Sequence, residues 1–83
     1  MIEKKAVIGL ESGLEERPIA VLVQKASKFD CSVYLVSDNK KVNAKSIMGM
    51  MGMGLRSGES VMIVTQGVDE VEAADEITAY LEA

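Results

Sequence analysis

The chain has 83 residues, a formal net charge of −4 and 48% hydrophobic residues, which is enough material for one small domain with a single core. It contains no histidine, so imidazole acid–base catalysis, Ser-His triads and histidine-ligated metals are excluded. Its acidic balance and its few aromatic residues, two tyrosines and one phenylalanine, argue against a nucleic-acid-binding surface, which needs basic side chains and stacking rings.

The N-terminal part of the chain predicts one strand followed by one helix. Ile2 to Leu10 carries a short apolar run after charged residues, and Ser12-Gly13 ends this strand. Pro18 suits the first turn of a helix, because its missing N–H has no helical partner there. Apolar residues then recur at helical spacing and form one inward face, made of Ile19, Leu22, Val23, Ala26 and Phe29.

The middle of the chain predicts a hairpin of two strands. Residues 32–35 alternate polar and apolar, the turn signal Asp38-Asn39 follows, and residues 41–43 form a short third strand. Cys31 is the single cysteine, so the chain has neither a disulfide framework nor a cysteine pair for a metal. We expect Cys31 to be a small buried hydrophobic residue.

The segment KSIMGMMGMGL, residues 45–55, is the least regular part of the sequence. Because its glycines disfavour a long helix, only one or two helical turns are predicted, starting at Ser46. Ser60 to Gln66 is the most convincing strand of the chain. The spacing Asp69-x-x-Glu72 predicts a capping pair for a last helix, whose inward residues are Val71, Ala74, Ile77 and Leu81.

The predicted element order is β-α-β-β-α-β-α within a single domain, residues 1–83. Strands interrupted by helices at this length are typical of an α+β open-faced sandwich, in which a mainly antiparallel sheet carries its helices on one face. No apolar run approaches the ~20 residues of a membrane helix, and the first residues lack the apolar core of a signal peptide. We therefore expect a cytoplasmic protein with no membrane partner and no cofactor.

Two stretches are candidates for a functional site, and the first is Glu15-Glu16-Arg17 at the predicted start of the first helix. Helix N-termini attract anions, so acids at this point mark a place where an anion belongs or has been replaced. The alternative is that acids in a first turn only stabilise the helix dipole, by roughly 0.3–1 kcal/mol each, with Arg17 as their solvated partner.

The second candidate is Ser46 with the apolar residues that follow it. One short helix cannot bury all of them, so we expect some to form an exposed soft patch that adapts to a partner. Ser46 would also suit a phosphate, because a helix N-terminus offers free N–H groups and a favourable dipole. The alternatives are a simple N-cap, worth about 1 kcal/mol, and core filling by each methionine. These apolar residues are Ile47, Met48, Met50, Met51 and Met53.

The two stretches together resemble the HPr family, the small histidine-containing phosphocarrier proteins of the bacterial sugar phosphotransferase system. The family's active-site motif, Gly-apolar-His-Ala-Arg-Pro, corresponds here to GLEERP, residues 13–18, and its regulatory motif Lys-Ser-Ile-Met-Gly is intact at residues 45–49. The likeness runs over essentially the whole chain and implies the HPr-like fold, with three helices on a four-stranded sheet. It places Glu15 at the phosphohistidine position. It is closest to the Crh-type regulators of bacilli and related bacteria, which carry glutamine there and keep the regulatory serine.

This resemblance implies a regulator of carbon catabolite repression that is not an enzyme. HPr kinase/phosphorylase would phosphorylate Ser46, and the product would act as corepressor of catabolite control protein A, a LacI-type repressor, without itself touching DNA. Proteins of this type are monomers or homodimers that exchange their first strand, here with a hinge at Ser12-Gly13. The residues of this chain that the resemblance implies contact the repressor are Glu15, Arg17, Ala20, Val21, Gln24, Ile47, Met48 and Met51.

Two other functions compete with this hypothesis. One is a divergent phosphocarrier, against which the missing histidine counts heavily. The other is an interaction domain that uses its methionines without any phosphorylation of Ser46. A third class, a small acyl-phosphate hydrolase, fits the length of the chain but lacks a persuasive set of site residues.

Overall fold

The structure, a computed structural model, describes all 83 residues. In chain order its elements are β1 (Ile2–Val7), α1 (Glu16–Ser27), β2 (Ser32–Ser37), β3 (Lys40–Asn43), α2 (Ile47–Met51), β4 (Ser60–Gln66) and α3 (Glu70–Leu81). This order confirms the predicted β-α-β-β-α-β-α. The first strand is shorter than predicted, because the backbone beyond Ile8 turns to the end of α3, where the N–H of Gly9 donates to the carbonyl of Leu81.

The four strands form one antiparallel sheet in the order β1-β4-β2-β3, so β1 and β3 are its edges. In β4 the residues Val61, Ile63 and Thr65 are buried beneath the helices, whereas Met62 lies on the opposite, exposed face. This alternation is what a sheet covered on one side requires. The fold is therefore the predicted α+β open-faced sandwich.

The core lies between the inner face of the sheet and the helices. α1 buries the predicted Ile19, Leu22 and Ala26, but it ends at Ser27, so Phe29 packs against the core from the loop that follows. The largest fully buried side chains come from both layers and are Ile8, Leu22, Leu35, Met50, Ile63, Ile77, Leu81, Val33, Thr65 and Cys31.

Cys31 is confirmed as a buried hydrophobic residue, 2% exposed and without a disulfide. Burial and the neighbouring Asp69 carboxyl raise the pKa of its thiol to about 11, so the reactive thiolate is scarce at neutral pH. The backbone of Gly67 lies directly on this residue: a Cβ at Gly67 would come within 2.7 Å of the Cys31 Cα. A glycine is therefore required where the chain leaves β4.

Two details predicted for α3 are wrong. Val71 is 57% exposed, because at about 100° per residue it lies roughly 120° round the helix from the fully buried Ile77. Asp69 precedes α3 without capping it through its side chain. Its carboxylate oxygens instead accept hydrogen bonds from the backbone N–H groups of Asp30 and Cys31, both at 2.9 Å. Asp69 thus ties the start of α3 to the loop before β2.

Asp69→Asn is expected to lower stability at neutral pH and to flatten the acid dependence of the thermal midpoint. The N–H of Asp30, and then the thiol and the N–H of Cys31, hold the pKa of the Asp69 carboxyl below its ordinary value. This stability is therefore present above the unfolded-state pKa of about 4 and is lost as the pH falls through the lower, folded-state value. Thermal midpoints of wild type and variant should converge in acid. Glu72→Gln, which neutralises an exposed carboxylate of α3 that has no ion pair, is the control; equal effects of both changes would contradict the assignment.

Candidate functional site

The first candidate stretch lies at the N-terminus of α1, as predicted. Glu15 occupies the N-cap in an extended conformation, and its carbonyl accepts from the N–H of Ile19 at 2.8 Å, while its side chain makes no capping bond. Glu16 and Arg17 follow, and all three charged side chains are exposed without an ion pair. They line a shallow open depression with Pro18 and Ala20. These groups are therefore free to meet a partner.

Gly13 joins this stretch to the segment that follows α2. Its φ of +74° suits glycine, and a Cβ here would lie 2.7 Å from the carbonyl oxygen of Leu55. The next residue, Leu14, is buried and donates its N–H to the same carbonyl at 2.9 Å. These contacts hold the start of α1 against Leu55, the last residue of the segment 45–55. The two candidate stretches therefore lie on neighbouring elements.

Ser46 is the N-cap of α2, as predicted. Its hydroxyl oxygen accepts from the N–H of Gly49 at 3.2 Å, and its carbonyl accepts from the N–H of Met50 at 3.1 Å. The serine is half-buried, in an extended backbone conformation that any residue adopts. The hydroxyl group therefore sits at the point where the free N–H groups of a short helix converge.

Asn43 and Lys45, to which the sequence alone assigns no role in the site, hold Ser46 in place. The side-chain oxygen of Asn43 accepts from the N–H of Lys45 at 2.8 Å, and its carbonyl accepts from the N–H of Ser46 at 3.0 Å. The Lys45 ammonium reaches across to the carbonyl of Phe29 at 2.7 Å, just beyond the end of α1. An asparagine three residues before an N-cap serine is an available signal for such a turn, whereas the Lys45 contact depends on the tertiary fold.

The apolar residues after Ser46 divide between the core and the surface. Met50 is fully buried, whereas Ile47, Met48 and Met51 are 49%, 88% and 55% exposed; we call these three the methionine patch. Met53 is partly buried. The prediction that one short helix leaves part of this group exposed is confirmed, and so is core filling for Met50.

The predicted contact residues of α1 lie on a helix that packs beside α2. Ala20 and Gln24 are exposed and Val21 is partly buried. These side chains and the methionine patch therefore lie on two helices that pack against one another. No cluster of three or more metal-ligating side chains exists in the chain. None of the three helices has the length and hydrophobicity of a membrane span.

Comparison with known proteins identifies relatives over nearly the whole chain. The family model described as "PTS HPr component phosphorylation site" matches residues 2–83. The HPr-like protein Crh of Halalkalibacterium halodurans is 43% identical over 82 residues, covering 99% of this chain and 98% of its own. The HPr-like protein Crh of Bacillus subtilis is 44% identical over 82 residues, covering 99% and 96%.

Solved structures give the same result at the level of the fold. The crystal structure of a phosphocarrier protein HPr from Bacillus anthracis superimposes with a TM-score of 0.94 at 39% identity, covering 96% of this chain and 95% of that one. A crystal structure of Bacillus subtilis Crh superimposes with a TM-score of 0.79 at 44% identity, covering 99% and 94%, and is described as a dimer with a swapped domain.

Proposed function

The chain belongs to the HPr family of the sugar phosphotransferase system, whose members are carriers or regulators rather than enzymes, and we propose that it is a regulator of carbon catabolite repression. In this role it receives a phosphate on Ser46 from HPr kinase/phosphorylase. The phosphorylated protein then acts as corepressor of a LacI-type catabolite control protein A. The Crh relatives at 43% and 44% identity support this choice within the family.

The observation that carries the proposal is the complete absence of histidine. The position of the family's phosphohistidine falls on Glu15, where a carboxylate would form only an acyl phosphate, which differs from a phosphohistidine relay in chemistry and lifetime. Glu16 also departs from the alanine of the family motif. We infer that the chain does not pass phosphoryl groups from enzyme I to sugar transporters, and that Glu15 leaves a fixed negative charge where the family carries a transient one.

The proposed switch at Ser46 is a change of surface charge with little change of shape. A phosphoserine carries about −1.5 to −2 charges at neutral pH, and its oxygens can keep the hydrogen bond that the serine hydroxyl accepts from Gly49. The remaining oxygens face a basic group of the repressor and form charge-assisted hydrogen bonds. The hydrogen bond that caps α2 is therefore retained after phosphorylation, and the added negative charge interacts with the repressor.

The rest of the proposed interface is apolar and supplies contact area. The methionine patch offers flexible side chains that adjust to a partner, with Ala20, Val21 and Gln24 as neighbours on α1. Arg17 contributes a polar contact, since its guanidinium is exposed and unpaired. The protein itself, with a net charge of −4, leaves the contact with DNA to the repressor.

We also propose that the protein exists as a monomer and as a homodimer that exchanges β1 between two copies. A swapped dimer of the Bacillus subtilis Crh relative supports this, as does the place of β1 at the sheet edge, where it pairs with β4 alone. A short turn, Leu10–Gly13, follows it and could open into an extended hinge.

Two phosphorylation reactions read by intact mass test the regulatory function. One contains enzyme I with phosphoenolpyruvate, and the other contains HPr kinase/phosphorylase with ATP. We expect one added phosphate in the second reaction and none in the first. Ser46→Asn is the matched variant, because asparagine is an equally good N-cap and cannot be phosphorylated; it should remove the mass increase while the thermal midpoint stays close to wild type. Phosphate arriving from enzyme I would instead assign the chain to the carriers.

A further inference from the structure

The arm, defined here as residues 1–10, is joined to the rest of the protein by one tight turn. The turn is closed by a hydrogen bond from the N–H of Gly13 to the carbonyl of Leu10 at 2.9 Å. β1 lies at the sheet edge and pairs with β4 alone. Release of the arm therefore requires that the hydrogen bonds between β1 and β4 separate and that the contacts between the arm and the helices are lost.

On the helix side, the end of α3 makes two hydrogen bonds to the backbone of the arm. The carbonyl of Leu81 accepts from the N–H of Gly9 at 2.7 Å, and the carboxylate of Glu82 accepts from the N–H of Val7 at 3.2 Å. The last carbonyls of a helix have no partner within the helix. The N–H of Gly9 provides a partner for one of these carbonyls. The N–H groups of Val7 and Gly9, in turn, both find acceptors at the end of α3.

The contact at Gly9 is closely fitted. A Cβ on this residue would lie 2.5 Å from the carbonyl oxygen of Glu82 and 3.1 Å from that of Ala83, so no other residue type allows the backbone of the arm to approach the end of α3 in this way. Further along the same helix, Asp75 holds the Lys4 ammonium at 3.0 Å. The arm is thus held by polar contacts with α3 as well as by its burial.

We propose that the end of α3, Leu81–Glu82, is a latch that holds the arm against the sheet and sets the rate at which the arm detaches. Its consequence for dimer formation rests on the strand exchange proposed above. In an exchanged dimer the arm docks on the second copy of the chain and makes the same contacts with that copy's α3. These contacts therefore cancel between monomer and dimer, and the latch controls the rate of exchange rather than its equilibrium. The equilibrium depends on the Leu10–Gly13 turn, which differs between the two forms.

Amide hydrogen exchange of the monomer, followed residue by residue by NMR, tests the latch without requiring a dimer. Glu82→Ala removes the acceptor of the Val7 N–H from an exposed position, so the fold should be retained. Loss of a charged acceptor is expected to accelerate exchange of the β1 amides roughly tenfold, with the amides of β2 unchanged. The control is Glu72→Ala, on the same helix at an exposed carboxylate without an ion pair. Equal acceleration in β1 and β2, or none in either, would overturn the latch.

Gly9→Ala tests the other contact, because its new Cβ must push the chain away from the carbonyl of Glu82. Gly52→Ala is its control, since a Cβ there meets nothing closer than 3.6 Å. Gly9→Ala should accelerate the β1 amides at least as much as Glu82→Ala, and a rate equal to that of Gly52→Ala would contradict the proposal.

Mixing of isotope-labelled and unlabelled protein, followed by native mass spectrometry, then separates the latch from the strand exchange. We expect Glu82→Ala to form mixed dimers roughly tenfold faster than wild type at an unchanged fraction of dimer. A changed fraction with an unchanged rate would overturn the latch. If Glu82→Ala accelerates hydrogen exchange of the β1 amides but the protein forms no dimer at any concentration, the latch is supported and the proposed strand exchange is contradicted.

Discussion

Replacing Met50 by alanine is expected to lower the free energy of unfolding by about 2–5 kcal/mol. Met50 is fully buried and anchors a helix of five residues, too short to be stable without its tertiary contacts. Its side chain leaves a cavity when truncated, and the surrounding core cannot fill that cavity completely. In a domain whose total stability is about 5–15 kcal/mol, this one change removes a large share.

Urea unfolding followed by circular dichroism measures this effect, with the midpoint and slope fitted separately. Met51→Ala is the matched control, because it makes the same chemical change at the adjacent position, which is 55% exposed. We expect the control to stay within about 0.5 kcal/mol of wild type. Similar losses for both variants would show that α2 is not held by Met50, and that the division of the methionines between core and surface is incorrect.

Replacing Met48 by alanine is expected to weaken binding of the Ser46-phosphorylated protein to the repressor by on the order of 30-fold, which corresponds to about 2 kcal/mol. Met48 is 88% exposed, so its truncation removes contact area from the proposed interface at little cost to folding. Its position two residues after the proposed phosphate places it beside the proposed charged contact. Calorimetric titration of phosphorylated wild type and variant with the repressor measures the difference.

Met62→Ala is the control for binding, because Met62 is an exposed methionine on the open face of the sheet, opposite to the helices. It should bind the repressor as wild type does. If Met48→Ala and Met62→Ala bind the repressor equally well, the methionine patch is not the contact surface. Other residues of the chain would then have to form the contact beside the phosphorylated serine.

The parts of the fold that could be predicted from the sequence are those with a local cause. Ser60–Gln66 was placed to the residue, because alternation and β-branched side chains specify an inward and an outward face. The cap of α2 was placed at Ser46, because a serine before a short apolar run is a local signal. The place of each candidate stretch at the start of a helix likewise follows from short motifs.

The parts that could not be predicted depend on contacts between distant residues. Asp69 was expected to cap α3, but its carboxylate is taken by two N–H groups 38 and 39 positions away in the chain, which no local pattern indicates. Lys45 reaches the end of α1 for the same kind of reason. The short approach of Gly9 to the end of α3 joins the two ends of the chain, and a single glycine in a sequence does not identify what lies against it.

The two border strands of the sheet each carry a pair of lysines, Lys4 and Lys5 in β1 and Lys40 and Lys41 in β3. An open border of a sheet offers unpaired backbone groups to any other strand, and charged residues there oppose the growth of fibrils and aggregates. Two copies of this chain that met border to border would bring ammonium groups against one another. The sheet therefore resists extension, and we expect copies of the chain to associate by replacing an existing strand rather than by adding one.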